Sequence, residues 1–210
     1  MAVRRVGTWK DAARRLADAS AAALLPGGAG LFGILRLVDG YLFPQEAVVL
    51  YRLARDLPGE GEIVEVGSYR GRSTLCLASG IRDRGRGRIV SVDPHVYRSE
   101  QELRENLAHF DLADRVEVRV EPSLTAARSW DRPLRAVFLD GSHEEEDVAA
   151  DVAAWIPHLG RGGILLLHDA TPLSRYPGPV RVAARTFRDG TMFDATGTVG
   201  SMAWGRREGG

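Results

Sequence analysis

The sequence predicts an α/β domain: a mostly parallel sheet with helices on both faces and an antiparallel hairpin at its C-terminal end. Three observations carry this. From residue 62 to 168, short β-branched or leucine-rich runs alternate with stretches of helical length, the pattern of strands joined by crossover helices. The first run, Glu62-Ile-Val-Glu-Val66, breaks at Gly67 and Gly71 before a helical pattern opens at Ser73, as open α/β sheets do when they begin a ligand pocket. Finally, polar residues stand immediately after apolar runs. Asp93 follows Ile89-Val-Ser-Val92, Asp140 follows Ala136-Val-Phe-Leu139, and His168-Asp169 follow Ile164-Leu-Leu-Leu167, which puts them at the carboxyl ends of strands, where such sheets bind ligands.

Taken in order, residues 8 to 25 read as a helix, with Trp9, Ala12, Ala13, Leu16, Ala19 and Ala23 at helical spacing and a stop at Pro26-Gly27-Gly28. The apolar, glycine-punctuated stretch 29 to 40 suits either a lid or dimer contact, or a segment that caps the core. A second helix opens at Pro44, a good first-turn residue, and runs to the stop at Pro58-Gly59. Strand 62 to 67, helix 72 to 83, strand 88 to 93, helix 99 to 110 and strand 115 to 121 follow. Strand 135 to 139, helix 145 to 157 and strand 163 to 168 continue the series, and helix 179 to 188 precedes strands near 191 to 195 and 198 to 204. Residues 1–43 thus form an N-terminal helix and lid-like segment, and 44–210 a single globular unit without repeats or linkers.

Composition removes several function classes. The 210 residues suffice for one domain with a sizeable core, and 44% hydrophobic with 27% charged residues is ordinary for a globular protein. Twenty-eight basic residues balance 28 acidic ones, so no general field draws nucleic acid or anionic lipid to the chain. The single cysteine, Cys76, excludes an intrachain disulfide and reads as a small buried residue. No apolar run approaches the ~20 residues of a membrane span, and no signal-peptide core opens the sequence, so the expected compartment is the cytoplasm. The apolar stretch from Leu31 to Val38 favours a homo-oligomer.

At this point the residues carry a resemblance. Glu65-Val-Gly-Ser-Tyr-Arg-Gly71 resembles the first motif of class I S-adenosylmethionine (SAM) dependent methyltransferases, and Val92-Asp93 the acidic end of their second strand. Leu139-Asp-Gly-Ser-His143 and Gly162-Gly-Ile-Leu-Leu-Leu-His-Asp169 resemble the small metal-dependent O-methyltransferases of natural-product and sugar pathways. The resemblance runs from about Pro44 to the C-terminus and implies a Rossmann-like, seven-stranded fold. Tyr69 stands where many relatives carry a further glycine, which makes the pocket wall bulkier.

The resemblance implies SAM as cofactor, and the residues suit its parts. Gly67 and Gly71 would let the backbone approach the amino-acid end, Glu65 would accept from its ammonium directly or through water, and Ser68, Tyr69, Ser73 and Thr74 lie by the helix N-terminus. Asp93 would take both ribose hydroxyls, Glu121 or Ser123 would border the adenine, and Asp140 completes the set. Singly, each has a structural reading: turn glycines, or a helix cap before Pro94. A divalent metal, Mg²⁺ or Mn²⁺, is implied at Asp140 and Asp169, with His168 as third ligand where a carboxylate is common; two acids and an imidazole suit such ions.

His143, three residues after Asp140 at a helix entrance, is the candidate general base, since imidazole accepts protons near neutral pH. The expected reaction is O-methylation of a hydroxylated small molecule, a sugar or an aromatic moiety of a secondary metabolite. Metal-independent N- or O-methyl transfer, a non-catalytic nucleotide-binding module and a nicotinamide oxidoreductase are the competing readings. The dinucleotide spacing G-x-G-x-x-G is missing, which counts against the last. His95 and His109 read as structural or substrate-rim residues, and Trp155 as core.

Overall fold

The computed structural model of the chain describes residues 28–188 and 192–209, so the helix expected over 8 to 25 lies outside the described residues. The strands are β1 (Glu62–Val66), β2 (Ile89–Val92), β3 (Val116–Arg119), β4 (Leu134–Leu139), β5 (Leu159–Leu167), β6 (Phe193–Val199) and β7 (Met202–Arg207). They form a seven-stranded sheet in the order β3-β2-β1-β4-β5-β7-β6. The five strands from β3 to β5 are parallel, and β7 pairs antiparallel with both β5 and β6. From β1 the strands follow in sequence outward to β3 on one side and resume with β4 on the other, so the topological switch point lies between β1 and β4.

Strand alternation assigns each face its own helices. Ile63, Ile89, Ala136, Phe138, Ile164 and Leu166 point to one face and pack under α1 (Gly28–Leu37), α2 (Pro44–Asp56), α3 (Arg72–Arg84) and α4 (Glu100–His109). Their alternate neighbours Val64, Val66, Val90, Val92, Val137, Leu139, Leu165 and Leu167 point the other way. These pack under α5 (Ser123–Arg128), α6 (Glu145–Trp155) and α7 (Pro177–Thr186). Trp155 is fully buried, as its helical position suggested.

One register row positions the functional rim. Val92 pairs with Val66, Val66 with Leu139, and Leu139 with Leu167. The residues that follow, Asp93, Gly67, Asp140 and His168, therefore leave the sheet at one level.

The element boundaries differ from expectation in four places, each with a physical reason. Residues 28–37 form a true helix that seats Leu31 and Ile34 in the core while Phe32 and Leu37 stay exposed, because its glycines fall where no side chain is needed for packing. The single-turn-and-a-half helix α5 carries only Ala126 and Ala127 inward, too short a pattern to register as periodic. β5 begins at Leu159, since Gly160, Arg161 and Gly162 continue the strand rather than breaking it. The hairpin turns at Gly200-Ser201 instead of near residue 196: Gly197 lies flat against the Trp204 ring, so this glycine belongs to the strand interior.

A buried arginine ties the sheet to α2. Arg135, only 4% exposed, donates to the carbonyls of Gly61 (3.0 Å), Leu57 (3.2 Å) and Ala54 (3.1 Å), closing the C-terminal end of α2. Burial pushes its guanidinium down to about 10. Arg135→Met keeps the volume but takes its donors from the Ala54 and Gly61 carbonyls, Leu57 O keeping Arg84, so we expect a loss of about 3 kcal/mol. For a chain of this size that is a melting temperature lower by roughly 6–12 °C, read by calorimetry.

Candidate active site

The turn after β1 requires glycine at its first position. Gly67 has φ +85°, and a Cβ there would lie 2.6 Å from both the Asp140 carbonyl carbon and Gly141 Cα. Its N–H continues the ladder to Val92 O at 2.9 Å. The turn is then fixed by one carboxylate: Asp93 Oδ2 accepts from the backbone N–H of Ser68 and of Tyr69, both at 2.9 Å, and Oδ1 accepts from His95 N–H at 2.7 Å. That clamp offsets the left-handed backbone of Tyr69 (φ 48°) and His95 (φ 51°). Gly71, also left-handed, starts α3.

Glu65 is fully buried on β1 behind this turn. Its Oε2 accepts from Thr74 Oγ1 at 2.5 Å, while Oε1 has no partner; Ser68 Oγ, on the turn that follows β1, is likewise buried and unpartnered. Burial pushes the Glu65 carboxyl up to about 8, hydrogen bonds from Ser73 and Thr74 countering only part of this, with the charges of Asp140 and Asp93 adding to the rise. Below pH ~4.5 the group is protonated folded or unfolded and contributes nothing. Between ~4.5 and ~8 only the unfolded chain ionises, so stability falls with rising pH by up to about 1.4 kcal/mol per unit, and it levels off above ~8. Glu65→Gln is therefore expected to melt higher than wild type by a margin that widens from pH 5 to pH 8, in thermal melts of the ligand-free protein.

At the other side of the switch point two acids and two imidazoles meet. Ligand atoms of Asp140, His143 and Asp169 lie within 4.8 Å of one another. His143 Nε2 is 3.1 Å from Asp169 Oδ2, and its ring stacks on Tyr176 with centroids 3.8 Å apart. His168, expected as the third ligand beside the two acids, stands between them and the protein interior. Its Nδ1 is 3.1 Å from Asp140 Oδ1 and 3.6 Å from Asp169 Oδ2, while Nε2 is 3.3 Å from Glu46 Oε2. Burial disfavours charge on this ring, yet the Asp140 charge and hydrogen bonds with Asp140, Asp169 and Glu46 raise it to about 12, so it is an imidazolium. The compact group of ligand atoms thus holds His143 in the place expected of His168.

The two acids differ. Burial pushes Asp140 above the usual carboxylate range despite His168. Burial acts the same way on Asp169, but hydrogen bonds and charge from His168, joined by His143, outweigh it and hold Asp169 below that range. The loop 171–176 passes over this group, with Leu173 exposed and Tyr176 against His143.

Other expected site residues have partners within the chain. Glu121 pairs with Arg119 at 2.6 Å, and Ser123 Oγ accepts from Trp155 Nε1 at 2.9 Å. Ser73 and Thr74 are buried at the start of α3, and Tyr69 is at the surface with Arg70 over its ring. His95 is buried, with Nδ1 2.9 Å from Ser99 Oγ, while His109 lies on α4 edge-on to Phe110. Sequence reasoning passed over Glu46 and Ser201. The one available signal was an acid just before the apolar run Ala47-Val-Val-Leu50, three residues after Phe43, at capping-box spacing.

Among the described residues no helix is long and apolar enough to cross a membrane. A family model described as a methyltransferase domain matches residues 64–170. Several solved structures are similar in fold. The O-methyltransferase from Bacillus cereus in complex with SAH is 20% identical, with a TM-score of 0.69, covering 89% of this chain and 94% of that one. The cofactor-bound Rv0187 from MTB is 22% identical, with a TM-score of 0.67 and coverage of 89% and 91%. TomG from Streptomyces achromogenes, an O-methyltransferase involved in tomaymycin synthesis and seen with SAM, is 20% identical, with a TM-score of 0.63 and coverage of 92% and 89%.

Proposed function

This chain belongs to the methyltransferase domain family, and from that premise we propose that it transfers the methyl group of SAM to a hydroxyl of a small molecule, with His143 as general base. The observation that carries the reading is the meeting of Asp140, His143 and Asp169 on the rim where the glycine turn opens.

The residues present fit SAM. Buried, unpartnered Glu65 Oε1 and Ser68 Oγ lie beside a turn with no room for a Cβ, a pocket suited to an ammonium and a close-lying backbone. When bound, SAM supplies a methyl on a sulfonium, an electrophile needing little activation. Glu65 would accept from the ammonium, directly or through water, and the Asp93 carboxylate, three of its about four lone-pair sites taken by N–H donors, keeps one for a ribose hydroxyl.

The donor set also fits a divalent cation such as Mg²⁺ or Mn²⁺, which Asp140 and Asp169 would hold and whose charge would make the acceptor hydroxyl more acidic. With His143 Nε2 turned to Asp169, Nδ1 is the nitrogen left to take the hydroxyl proton, and the Tyr176 ring fixes its plane. Alignment of acceptor and methyl group by these walls supplies much of the remaining rate. A sugar or an aromatic moiety of a secondary metabolite is the acceptor we favour.

A metal-independent transfer by the same His143–Asp169 pair has an observation of its own. The His168 imidazolium already presents an N–H to both carboxylates, which reduces their need for a cation. One experiment separates these readings. SAH is titrated into the protein by calorimetry, and methylation of a catechol and a sugar acceptor is followed with Mg²⁺ or with EDTA. We expect SAH binding and turnover that EDTA abolishes. Equal turnover in EDTA selects the metal-independent route, and absence of SAH binding overturns the proposal.

A further inference from the structure

Behind the candidate site, outside the residues matched by the family model, lies a buried acid with no arginine or lysine paired to it among the described residues. Glu46, on the first turn of α2, is 0% exposed. Its Oε1 accepts from the Ser201 N–H at 2.6 Å and the Ser201 hydroxyl at 2.9 Å, and its Oε2 accepts from the Phe43 N–H at 2.8 Å. The two Ser201 donors tie α2 to the β6–β7 turn, where a Cβ on Gly200 would come within 2.9 Å of Glu46 Cδ, while the Phe43 bond caps α2 itself. The fourth contact reaches the functional rim: His168 Nε2 is 3.3 Å from Glu46 Oε2, and the Ser201 hydroxyl that donates to Glu46 is 3.2 Å from the same nitrogen.

The consequence lies in the ring. An imidazole that meets an acceptor on each side cannot turn about its Cβ–Cγ bond without losing both bonds. With Nε2 held by Glu46, Nδ1 is directed at Asp140 Oδ1 and Asp169 Oδ2, and Asp169 Oδ2 in turn meets His143. We propose that Glu46 is a positioning residue: it aims the His168 ring at Asp140 and Asp169, and so sets those carboxylates from behind through α2 and the β6–β7 turn. The inference deepens the reading of Asp140 and Asp169 as cation-holding acids and rests on it for one of its two readouts. Partners that orient ligating groups in this way are worth about 10–100-fold in metal affinity.

Glu46→Gln keeps size and an acceptor for Ser201 but removes the carboxylate that His168 meets. Mn²⁺ binding is measured by electron paramagnetic resonance and SAH binding by calorimetry, and the SAH-bound variant is crystallised. We expect Mn²⁺ affinity at least about tenfold weaker, SAH affinity unchanged, and His168 Nδ1 withdrawn from Asp140 beyond hydrogen-bond reach. Ser201→Ala removes the hydroxyl that also lies 3.2 Å from His168 Nε2 but keeps the Glu46 contact, so it should weaken Mn²⁺ affinity less than Glu46→Gln does; an equal loss would mean that the hydroxyl, and not the carboxylate, holds the ring and would overturn the proposal. Unchanged Mn²⁺ affinity and an unmoved ring in Glu46→Gln would overturn it as well. If wild type binds SAH but no Mn²⁺, the metal half of the proposed function fails by itself, and the ring position in the crystal decides the role of Glu46. Should Glu46→Gln not fold, Gly200→Ala, whose Cβ presses on the Glu46 side chain, reads the same displacement.

Discussion

His143→Ala is expected to lower kcat by about 10²–10⁴-fold, the usual worth of a positioned proton acceptor, while SAH affinity and melting temperature stay at wild-type values. The separation follows from where the ring sits. His143 is on the loop leading into α6, its side chain 37% exposed, so its removal opens no core cavity. Its contacts are to Asp169 and Tyr176, not to the glycine turn where the cofactor's amino-acid end would lie. A loss of SAH affinity equal to the loss of rate would place His143 in the cofactor pocket and deny it the role of base. Asp169→Asn should lower the rate at least as much, since it removes both a carboxylate that would hold the cation and the charged acceptor that orients the ring. Steady-state and single-turnover kinetics with the accepted substrate decide both.

Gly67→Ala is expected to be among the most damaging single methyl additions at the described residues. A left-handed residue other than glycine costs roughly 1–3 kcal/mol, and the added carbon meets backbone, the Asp140 carbonyl and Gly141 Cα, which cannot rotate away. Overpacking of this kind adds about 1–3 kcal/mol. With tenfold in affinity per ~1.4 kcal/mol, SAH binding should weaken at least ~30-fold, alongside a lower melting temperature. Gly71→Ala is the control. There the new carbon meets Leu103 Cδ1 at 2.5 Å, the free end of a flexible side chain, so the cost should be visibly smaller. Equal losses for the two variants would show that backbone conformation, common to both, and not the crowding at Asp140, sets the requirement for glycine.

The fold was legible because its signals are local. β-Branched runs, helix-length gaps and the glycine turn fix the order of elements, and the residues after each run, Asp93, Asp140 and His168-Asp169, fix which side chains reach the rim. What stayed hidden depends on direction and on distant partners. Whether His143 or His168 faces the open side is decided by a ring torsion, and that torsion is set by Glu46, 122 positions away in the chain. Likewise Asp93 could be read as a strand-end acid, but its two N–H donors on the glycine turn, from Ser68 and Tyr69, follow only once β1 and β2 are paired. The hairpin misjudgement has a similar origin. Gly197 reads as punctuation until Trp204 is laid against it.

The level row of Val92, Val66, Leu139 and Leu167 makes the sheet a ruler with a shared zero mark. Deleting one rung from any of these strands would swap its inward and outward faces, which the two apolar layers forbid. Exchanging Asp93, Asp140 or His168, just beyond the mark, shifts no strand register, whereas Gly67 has no room for a side chain. Such an architecture lets the chemistry of the rim change at three addresses, while the lengths of the strands behind them stay frozen.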